Sequence, residues 1–324
     1  MRVLITGVAG MIGSHLLDYL MDMDCFTVVG IDNLSFGKTK NIQRHLDTPK
    51  FRFYPIDILD IDAMRILSKD IEAIVHLAAV KKINEKQASH DTLIVNAKGT
   101  EHVLEVAKMW GAKVILASTS DVYGMSPDLP FREDGDVCLG PTMIKRWSYA
   151  VSKLYCEQLA YSYLNDFGVP IVILRYFGGF SWRSSFQWSG GHIPIFIRAI
   201  LNNEEVIIHG DGTQTRSMAF VMDLVRGTKL AMECKAAVGE IINLGNTEEM
   251  SVIDTAKLIH ELSGVGWPLK LKHVPMAEIF GKYKDIMRRS PDLNKAKTIL
   301  GYEPNHPLAD SIKITIEKIR RENP

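Results

Sequence analysis

At 324 residues, 46% hydrophobic and 23% charged, the chain has ordinary globular proportions and enough material for a large core, as one large domain or two intimate ones. Lysine plus arginine and aspartate plus glutamate balance at 38 each, which excludes a global field for nucleic acid or an acidic membrane while leaving room for a local anion site. Cys25, Cys138, Cys156 and Cys234 show no C-x-x-C spacing, which argues against a metal centre or a disulfide framework and fits a reducing, cytoplasmic setting; no apolar run approaches the roughly eighteen residues of a membrane span, and a strand expected from Arg2 leaves no space for a leader.

The first element, Arg2 to Thr6, is an apolar, strand-like run, and Gly7, Gly10 and Gly13 follow it into the helical pattern of Met11 to Met21. Strand, glycine turn and helix come in the order a dinucleotide site needs. The first glycine turns sharply, the second admits a pyrophosphate to backbone N–H groups, and the third packs the helix on its strand. The three-residue step between glycines departs from the commoner fingerprint, so its weight comes from context. The next strand, Phe26 to Ile31, ends at Asp32, roughly twenty residues past the turn, where a carboxylate accepts hydrogen bonds from the adenosine ribose and repels a 2′-phosphate. NAD is therefore expected, and not NADP. Asp57, after the strand Phe51 to Pro55, is expected either beside the adenine or as the cap of a helix beginning near Ile61.

Further strand-like runs at Ala73 to Leu77, Lys113 to Ser118 and Ile171 to Leu174 alternate with helix-like segments, which predicts a parallel sheet with helices on both faces. After about Arg175 glycines and aromatics interrupt the pattern. A dinucleotide-binding domain over 1–175 and a smaller C-terminal substrate-binding region over 176–324 are expected, with about 217–245 returning to the first as a helix, Ser217 to Glu233, and a strand, Glu240 to Leu244.

Within the helical segment Ser148 to Asp166, Tyr149 stands four residues before Lys153, on one face. A free tyrosine titrates near pH 10, so service as a base near neutrality requires about 4 kcal/mol of extra phenolate stabilisation, much of which a neighbouring ammonium supplies. The same pair recurs on ordinary solvated helices. Thr119, after the strand Lys113 to Ser118, is expected at the carboxyl edge of the sheet, where open α/β folds bind ligands; a Ser/Thr turn at a strand end is the plainer explanation for that residue alone.

Taken together, the chain resembles the extended short-chain dehydrogenase/reductase family, in particular its nucleotide-sugar epimerases, dehydratases and decarboxylases. The resemblance runs over nearly the whole length. It rests on Gly7, Gly10 and Gly13; Asp32-Asn33-Leu34-Ser35; Asp57; His76-Leu77-Ala78-Ala79; Asn96; the run Ser118 to Gly124; Tyr149 with Lys153; and the run Gly210 to Arg216. It implies a Rossmann fold, with NAD held by the glycine turn with Met11 and Ile12, by Asp32, Asn33, Asp57 and Ile58, by Leu77, Ala78 and Ala79, by Lys81 on a phosphate, by Asn96, and by Tyr149 and Lys153. Thr119, Tyr149 and Lys153 are the implied catalytic trio: Tyr149 takes the proton of a sugar 4-hydroxyl while hydride passes from C4 to NAD, giving a 4-keto sugar. Arg216 and Arg288 resemble contacts to the nucleotide diphosphate, Arg216 also lying near the reacting carboxylate in decarboxylases.

The fate of the 4-keto sugar names the enzyme. Dehydratases of the family place Asp-Glu just after the threonine and UDP-glucuronate decarboxylases place Ser-Glu, whereas this chain has Ser120-Asp121, with Asp121 as a further catalytic candidate. Gly140-Pro141 and Arg146-Trp147 resemble the lipid A-modifying decarboxylases, with Trp147 as a substrate-side candidate; Asp32-Asn33-Leu34-Ser35 and Lys81 resemble the 4-epimerases. The expectation is a 4-epimerase acting on a nucleoside-diphosphate hexose or hexuronate, with UDP-glucuronate-type decarboxylation as the alternative, dehydration or reduction behind them, and an NAD-sensing module disfavoured by the intact trio. Gly178 stands where the family carries asparagine. Trp182, Arg183, Trp188 and His192 could build an altered pocket, although a histidine such as His192 is more often a packing residue than a base. The helix candidates Asp91 to Trp110 and Ser148 to Asp166 resemble those that pair between copies in family homodimers, with Leu154, Leu159 and Tyr163 as candidates for that contact or for the core.

Overall fold

The computed structural model describes all residues except 82–88, 187–190, 277, 279–285 and 323–324. Trp188 lies outside the described residues. The frame is a seven-stranded parallel sheet of β1 (Arg2–Thr6), β2 (Thr27–Ile31), β3 (Phe51–Tyr54), β4 (Ala73–His76), β5 (Lys113–Thr119), β6 (Ile171–Tyr176) and a late strand, Ile241–Leu244, in the spatial order β3, β2, β1, β4, β5, β6 and the late strand. The order reverses between β1 and β4, which opens a crevice at the carboxyl ends of the two central strands.

Alternation along each strand divides the apolar residues between two cores. Val3 and Ile5 of β1, Val75 of β4 and Ile115 of β5 face the core shared with α1 (Met11–Met21). Leu4, Ile74, Val114 and Leu116 face the other core. Both faces are covered, so the strands read as nearly unbroken apolar runs. Helix α2 is Ile61–Leu67; α3 (His90–Trp110) packs on α4 (Trp147–Phe167) over the second face.

The chain beyond β6 crosses between the sheet and a smaller assembly. Gly179–Phe180 pairs in parallel with Ala219–Phe220, Val206–His209 in parallel with Leu271–Val274, and Thr215–Ser217 antiparallel with Glu249–Ser251. Helix α5 (His192–Leu201) packs on the helix Val252–Ser263. The helix expected from Ser217 begins instead at Val221, because the residues before it are spent on two short strand pairings; α6 spans Val221–Glu233. Its carboxyl end is capped from the sheet, where the Lys113 ammonium donates to the carbonyls of Ala231 (2.8 Å), Met232 (3.2 Å) and Cys234 (2.7 Å). The late strand then extends the sheet beside β6, Ile241 against Ile173. Gly178 has a φ of +49°, and a Cβ there would lie 2.6 Å from the Ser217 carbonyl oxygen, so the bend that brings the second assembly over the sheet leaves no space for asparagine.

Leu159 and Tyr163 pack in the second core and Leu154 against a small cluster with Tyr123 and Phe177, with Leu154 and Leu159 still partly exposed. The exposed apolar residues on this pair of helices include Leu93, Ile94, Val151 and Tyr155. Among the described residues no helix is long and apolar enough to cross a membrane.

Candidate active site

The glycine turn lies against the start of the loop after β4. Gly7 has a φ of +73°, and a Cβ on it would sit 2.8 Å from the Ala78 nitrogen; a Cβ on Gly13 would collide with the Gly7 carbonyl. Helix α1 has neither a side-chain cap nor an acidic residue in its first turn, which leaves its positive end to an anion. Asp32, 8% exposed, accepts the Ala9 amide on one oxygen (3.0 Å) and the Leu34 amide on the other (2.8 Å). Burial raises its pKa, opposed by those two amides. Asn33 donates to Asp57 (2.7 Å), which also accepts the Leu59 amide (2.8 Å); the cap of α2 is Asp60, not Asp57. Met11 and Ile12 line the cavity at the carboxyl edge of the sheet.

Other expected cofactor residues hold the loop after β4. The amides of Leu77 and Ala78 donate to the Thr6 hydroxyl (3.2 and 3.1 Å), and Ala79 is half-buried between them and Val80. Asn96 clamps Val80 from both sides, accepting its amide at 2.8 Å and donating to its carbonyl at 3.0 Å, so it shapes the loop through the backbone. The side chain of Ile58 is a core residue, 5% exposed, packed at the place where a Cβ on Gly99 would stand.

Tyr149 lies in the first turn of α4, and Lys153 one turn later. Glu157, a turn further, accepts from the Ser118 hydroxyl and pairs with Arg175 at 2.7 Å, which ties α4 to β5 and β6 just behind Thr119. Thr119 ends β5 and caps the turn that follows, its hydroxyl accepting the Asp121 amide at 3.2 Å. Burial pushes the phenol of Tyr149 up, the charge of Asp121 pushes the same way, and a hydrogen bond with Thr119 opposes both. The expected depression of this tyrosine by Lys153 is not what the arrangement produces. The Lys153 ammonium donates to the Ala117 carbonyl at 2.8 Å, and burial lowers its own pKa.

Asp121 is 2% exposed and pairs with Arg146 (2.8 Å), Arg289 (2.9 Å) and Lys81 (3.3 Å). Burial alone would raise its pKa; the three cations hold it well below the usual carboxylate range. Lys81, expected on a cofactor phosphate, is thus drawn to Asp121, and its ammonium lies 5.1 Å from the centre of the Tyr149 ring. All of these groups line one cavity of about 340 Å³, within the ordinary range for small-molecule sites.

The opposite wall comes from the second assembly: His192, His209, Gln214 and Arg216. Arg216 donates to the carbonyls of Thr215 (2.7 Å) and Ile286 (2.8 Å). Arg288 is outside the cavity, an exposed side chain paired with Glu249 at 2.8 Å; its neighbour Arg289 is the one that enters. Trp147 is not on the cavity either. It is 3% exposed, packed with Ala150, Met125, Leu139 and Ile144, and a Cβ on Gly140 would lie 2.6 Å from its indole nitrogen. Trp182 packs edge-on against His15, and Arg183 pairs with Asp18 at 2.8 Å, so both serve the core side of that loop. Sequence reasoning quoted Arg146 only as part of the Arg146-Trp147 pair, with no site role, and passed over Arg289. The available signals were the three-residue step from Arg146 to Tyr149 and the doubling of arginine at 288 and 289.

A family model described as the NAD dependent epimerase/dehydratase family matches residues 3–245. The chain belongs to this family. Members of the extended short-chain dehydrogenase/reductase group, its relatives are nucleotide-sugar epimerases and decarboxylases. It is 37% identical over 321 residues to a UDP-N-acetyl-alpha-D-glucosaminuronate decarboxylase of Bacillus cytotoxicus, covering 98% of each chain. To UDP-glucuronic acid decarboxylase 1 of Xenopus tropicalis it is 34% identical, over 99% of this chain and 72% of the relative. Among solved structures, UDP-glucuronic acid 4-epimerase from Bacillus cereus in complex with UDP-glucuronic acid and NAD superposes with a TM-score of 0.88 at 32% identity, covering 99% of this chain and 100% of that one. The family is NAD-dependent, and the residues of this chain fit the cofactor: an uncapped helix start behind a glycine turn that tolerates no side chain, and a buried carboxylate at the end of β2.

Proposed function

We propose that the chain decarboxylates a UDP-hexuronate by way of a 4-keto sugar. One observation carries the hexuronate part of this reading: beside Tyr149 and Thr119, three cations converge on the buried carboxylate of Asp121, leaving a surplus of positive charge on the cavity wall, while the decarboxylase relatives favour loss of the substrate carboxylate over epimerisation. A neutral hexose offers that surplus nothing, whereas a hexuronate brings a carboxylate for the planar forks of Arg146 and Arg289. The named relatives carry UDP in their substrates, which supports a uridine nucleotide.

Gly7, Gly10, Gly13 and the start of α1 would hold the cofactor diphosphate, Asp32 the adenosine ribose, and Tyr149 with Lys153 the nicotinamide ribose. When bound, NAD supplies reversible hydride acceptance. Tyr149 takes the proton of the 4-hydroxyl, and Thr119 orients that oxygen. The substrate carboxylate then lies β to a ketone: the bond from C5 to the carboxyl carbon breaks, its electrons flow into the 4-keto group, and carbon dioxide leaves. A proton from solvent goes to C5 and restores the 4-ketone; C4 then takes back the hydride while Tyr149 returns its proton to O4, so the sequence ends redox-neutral with one solvent proton consumed. Asp121, held ionised near neutral pH by the three cations, positions the two arginines.

Epimerisation at C4 of the same hexuronate is the second reading, favoured by the close superposition on the Bacillus cereus 4-epimerase. Dehydration is disfavoured, because it needs an acid and a base after Thr119, where Ser120 and a single carboxyl, Asp121, stand. Incubating the NAD-loaded protein with UDP-glucuronate, UDP-N-acetylglucosaminuronate and UDP-glucose, with mass analysis of the products, separates the readings: loss of carbon dioxide from a hexuronate supports the first, a product of unchanged mass the second. A cytoplasmic homodimer completes the proposal, supported by four free cysteines and by the exposed apolar residues on α3 and α4.

A further inference from the structure

Tyr149 needs a nearby cation to serve as a base near neutral pH, and the lysine one turn along its own helix is turned elsewhere: the buried Lys153 ammonium donates to the Ala117 carbonyl at 2.8 Å. A different lysine lies by the phenol. The Lys81 ammonium is 5.1 Å from the centre of the Tyr149 ring and 3.3 Å from a carboxylate oxygen of Asp121. Its backbone is tied to the same helix by a chain of hydrogen bonds. Asn96 of α3 holds both the amide and the carbonyl of Val80 and donates to the Ser152 hydroxyl at 2.9 Å, and Ser152 in turn donates to the Tyr149 carbonyl at 2.8 Å. The residue before Lys81 and the first turn of α4 are thus held as one unit across the loop after β4, α3 and α4.

The phenol sits among both signs of charge. Burial opposes its phenolate first, then the charge of Asp121 in the turn after β5, then the Cys156 thiol on its own helix, while a hydrogen bond with Thr119 relieves it. Arg146, at the start of α4, and Arg289, from the C-terminal region, pair with Asp121, and His192, His209 and Arg216 stand on the far wall of the cavity. Arg146 lies beside Trp147, 5.6 Å from its ring centre. Among the described residues, Lys81 is the cation that meets both the Asp121 carboxylate and the Tyr149 ring. An ammonium within about 6 Å of a phenol favours its ionised form, and a cation paired with a neighbouring carboxylate removes part of that carboxylate's repulsion. We infer that Lys81 is a positioning residue for proton transfer by Tyr149: lying between the Tyr149 ring and the Asp121 carboxylate, it offsets the negative charge beside the phenol and favours the phenolate that takes the 4-hydroxyl proton. The inference rests on the reading of Tyr149 as the base and deepens it, and it holds for decarboxylation and epimerisation alike, since both begin with that proton. Asp121 then stays ionised beside the base without suppressing it.

The test is a pH titration of the NAD-loaded protein by nuclear magnetic resonance, with an isotopic label at the tyrosine Cζ and the Tyr149 resonance identified as the one lost in Tyr149→Phe. Lys81→Met removes the charge and keeps the length of the side chain; Lys81→Arg keeps the charge. Ionisation of Tyr149 is expected about one pH unit higher in Lys81→Met than in the wild type, and close to the wild-type pH in Lys81→Arg. The acidic limb of kcat/KM for a UDP-hexuronate should move by the same amount, a loss of about tenfold below the limb that closes at higher pH. A Tyr149 that ionises within about 0.3 pH unit of the wild type in Lys81→Met overturns the role, as does a wild-type Tyr149 still protonated at about pH 11. A rate that falls equally at every pH also overturns it, and so does weaker NAD binding in Lys81→Met with the titration unmoved, which returns Lys81 to the cofactor phosphate. The resonance titration needs no substrate: if it shifts as expected while the wild type converts no nucleoside-diphosphate sugar, the nucleotide-sugar reading fails and the electrostatic role of Lys81 stands.

Discussion

Asp121 acts through the cations around it, so its replacement should register first on them. Asp121→Asn leaves Arg146, Arg289 and Lys81 without their shared counter-charge in a buried setting, and unfolding in urea should show a loss of about 3 kcal/mol near neutral pH. The folded carboxyl is held well below its ordinary pKa, so its stabilisation is present above the unfolded value near 4 and is lost as pH falls through the folded value. Wild type and Asp121→Asn should therefore converge in stability as the medium is acidified below about pH 4. Parallel curves would remove the ionised role of Asp121. The two neighbouring arginines give a sharper contrast. Arg289→Ala should lower kcat/KM for the hexuronate by about a hundredfold or more, whereas Arg288→Ala, which loses an exposed pair with Glu249, should stay within about threefold. Sequence could single out Asp32 by its distance from the glycine turn, Thr119 by its place at a strand end, and Tyr149 with Lys153 by their four-residue spacing on one helix face. It could not say which of two adjacent arginines enters the cavity, since that depends on how a loop from the far end of the chain lies along Thr215 and Ser217.

Helices and strands of the sheet were legible for a simple reason: covered on both faces, each strand is an apolar run bounded by turn residues, and the observed limits depart from the expected ones by a residue or two. The failures came where tertiary pairing outweighed local pattern. Residues 215–220 look like the start of α6, yet they pair with Glu249–Ser251 and Gly179–Phe180. Trp147, at the head of α4, packs against Gly140 and lies off the cavity. Several joints between elements are sealed by neutral histidines. His76 bridges Thr6 of β1 and Thr100 of α3, and His15 meets Ser181. Burial lowers each of them to about 3. The unfolded chain binds protons near pH 6.5 where the folded one does not, so stability should be highest above that value and fall as pH drops from it toward 3, by up to about 1.4 kcal/mol per pH unit for each histidine. Urea midpoints measured from pH 8 to pH 5 should show this decline, and His76→Gln should flatten it. An unchanged slope in that variant would place the proton uptake elsewhere.

As a whole molecule, the protein sets the crevice between β1 and β4 against a second assembly that supplies the far wall of the cavity. The first half of this arrangement follows from strand and glycine pattern; the second does not, because its elements are short and their partners distant in sequence. The exposed residues Val151 and Tyr155, one turn apart on α4, belong to the proposed contact between copies. Val151→Asp with Tyr155→Asp should shift sedimentation from dimer to monomer, and a wild-type protein that sediments as a monomer at micromolar concentration would dispose of the homodimer. On the proposed function, this cavity binds a UDP-hexuronate by its carboxylate and removes that group. The measurement that addresses it most directly is carbon dioxide release by the NAD-loaded wild type from UDP-glucuronate and UDP-N-acetylglucosaminuronate labelled at the carboxyl carbon, with Arg289→Ala in parallel. Stoichiometric release from at least one of the two, with near-complete loss in the variant, is expected; full conversion of both sugars to isomers that keep the label would rule out decarboxylation.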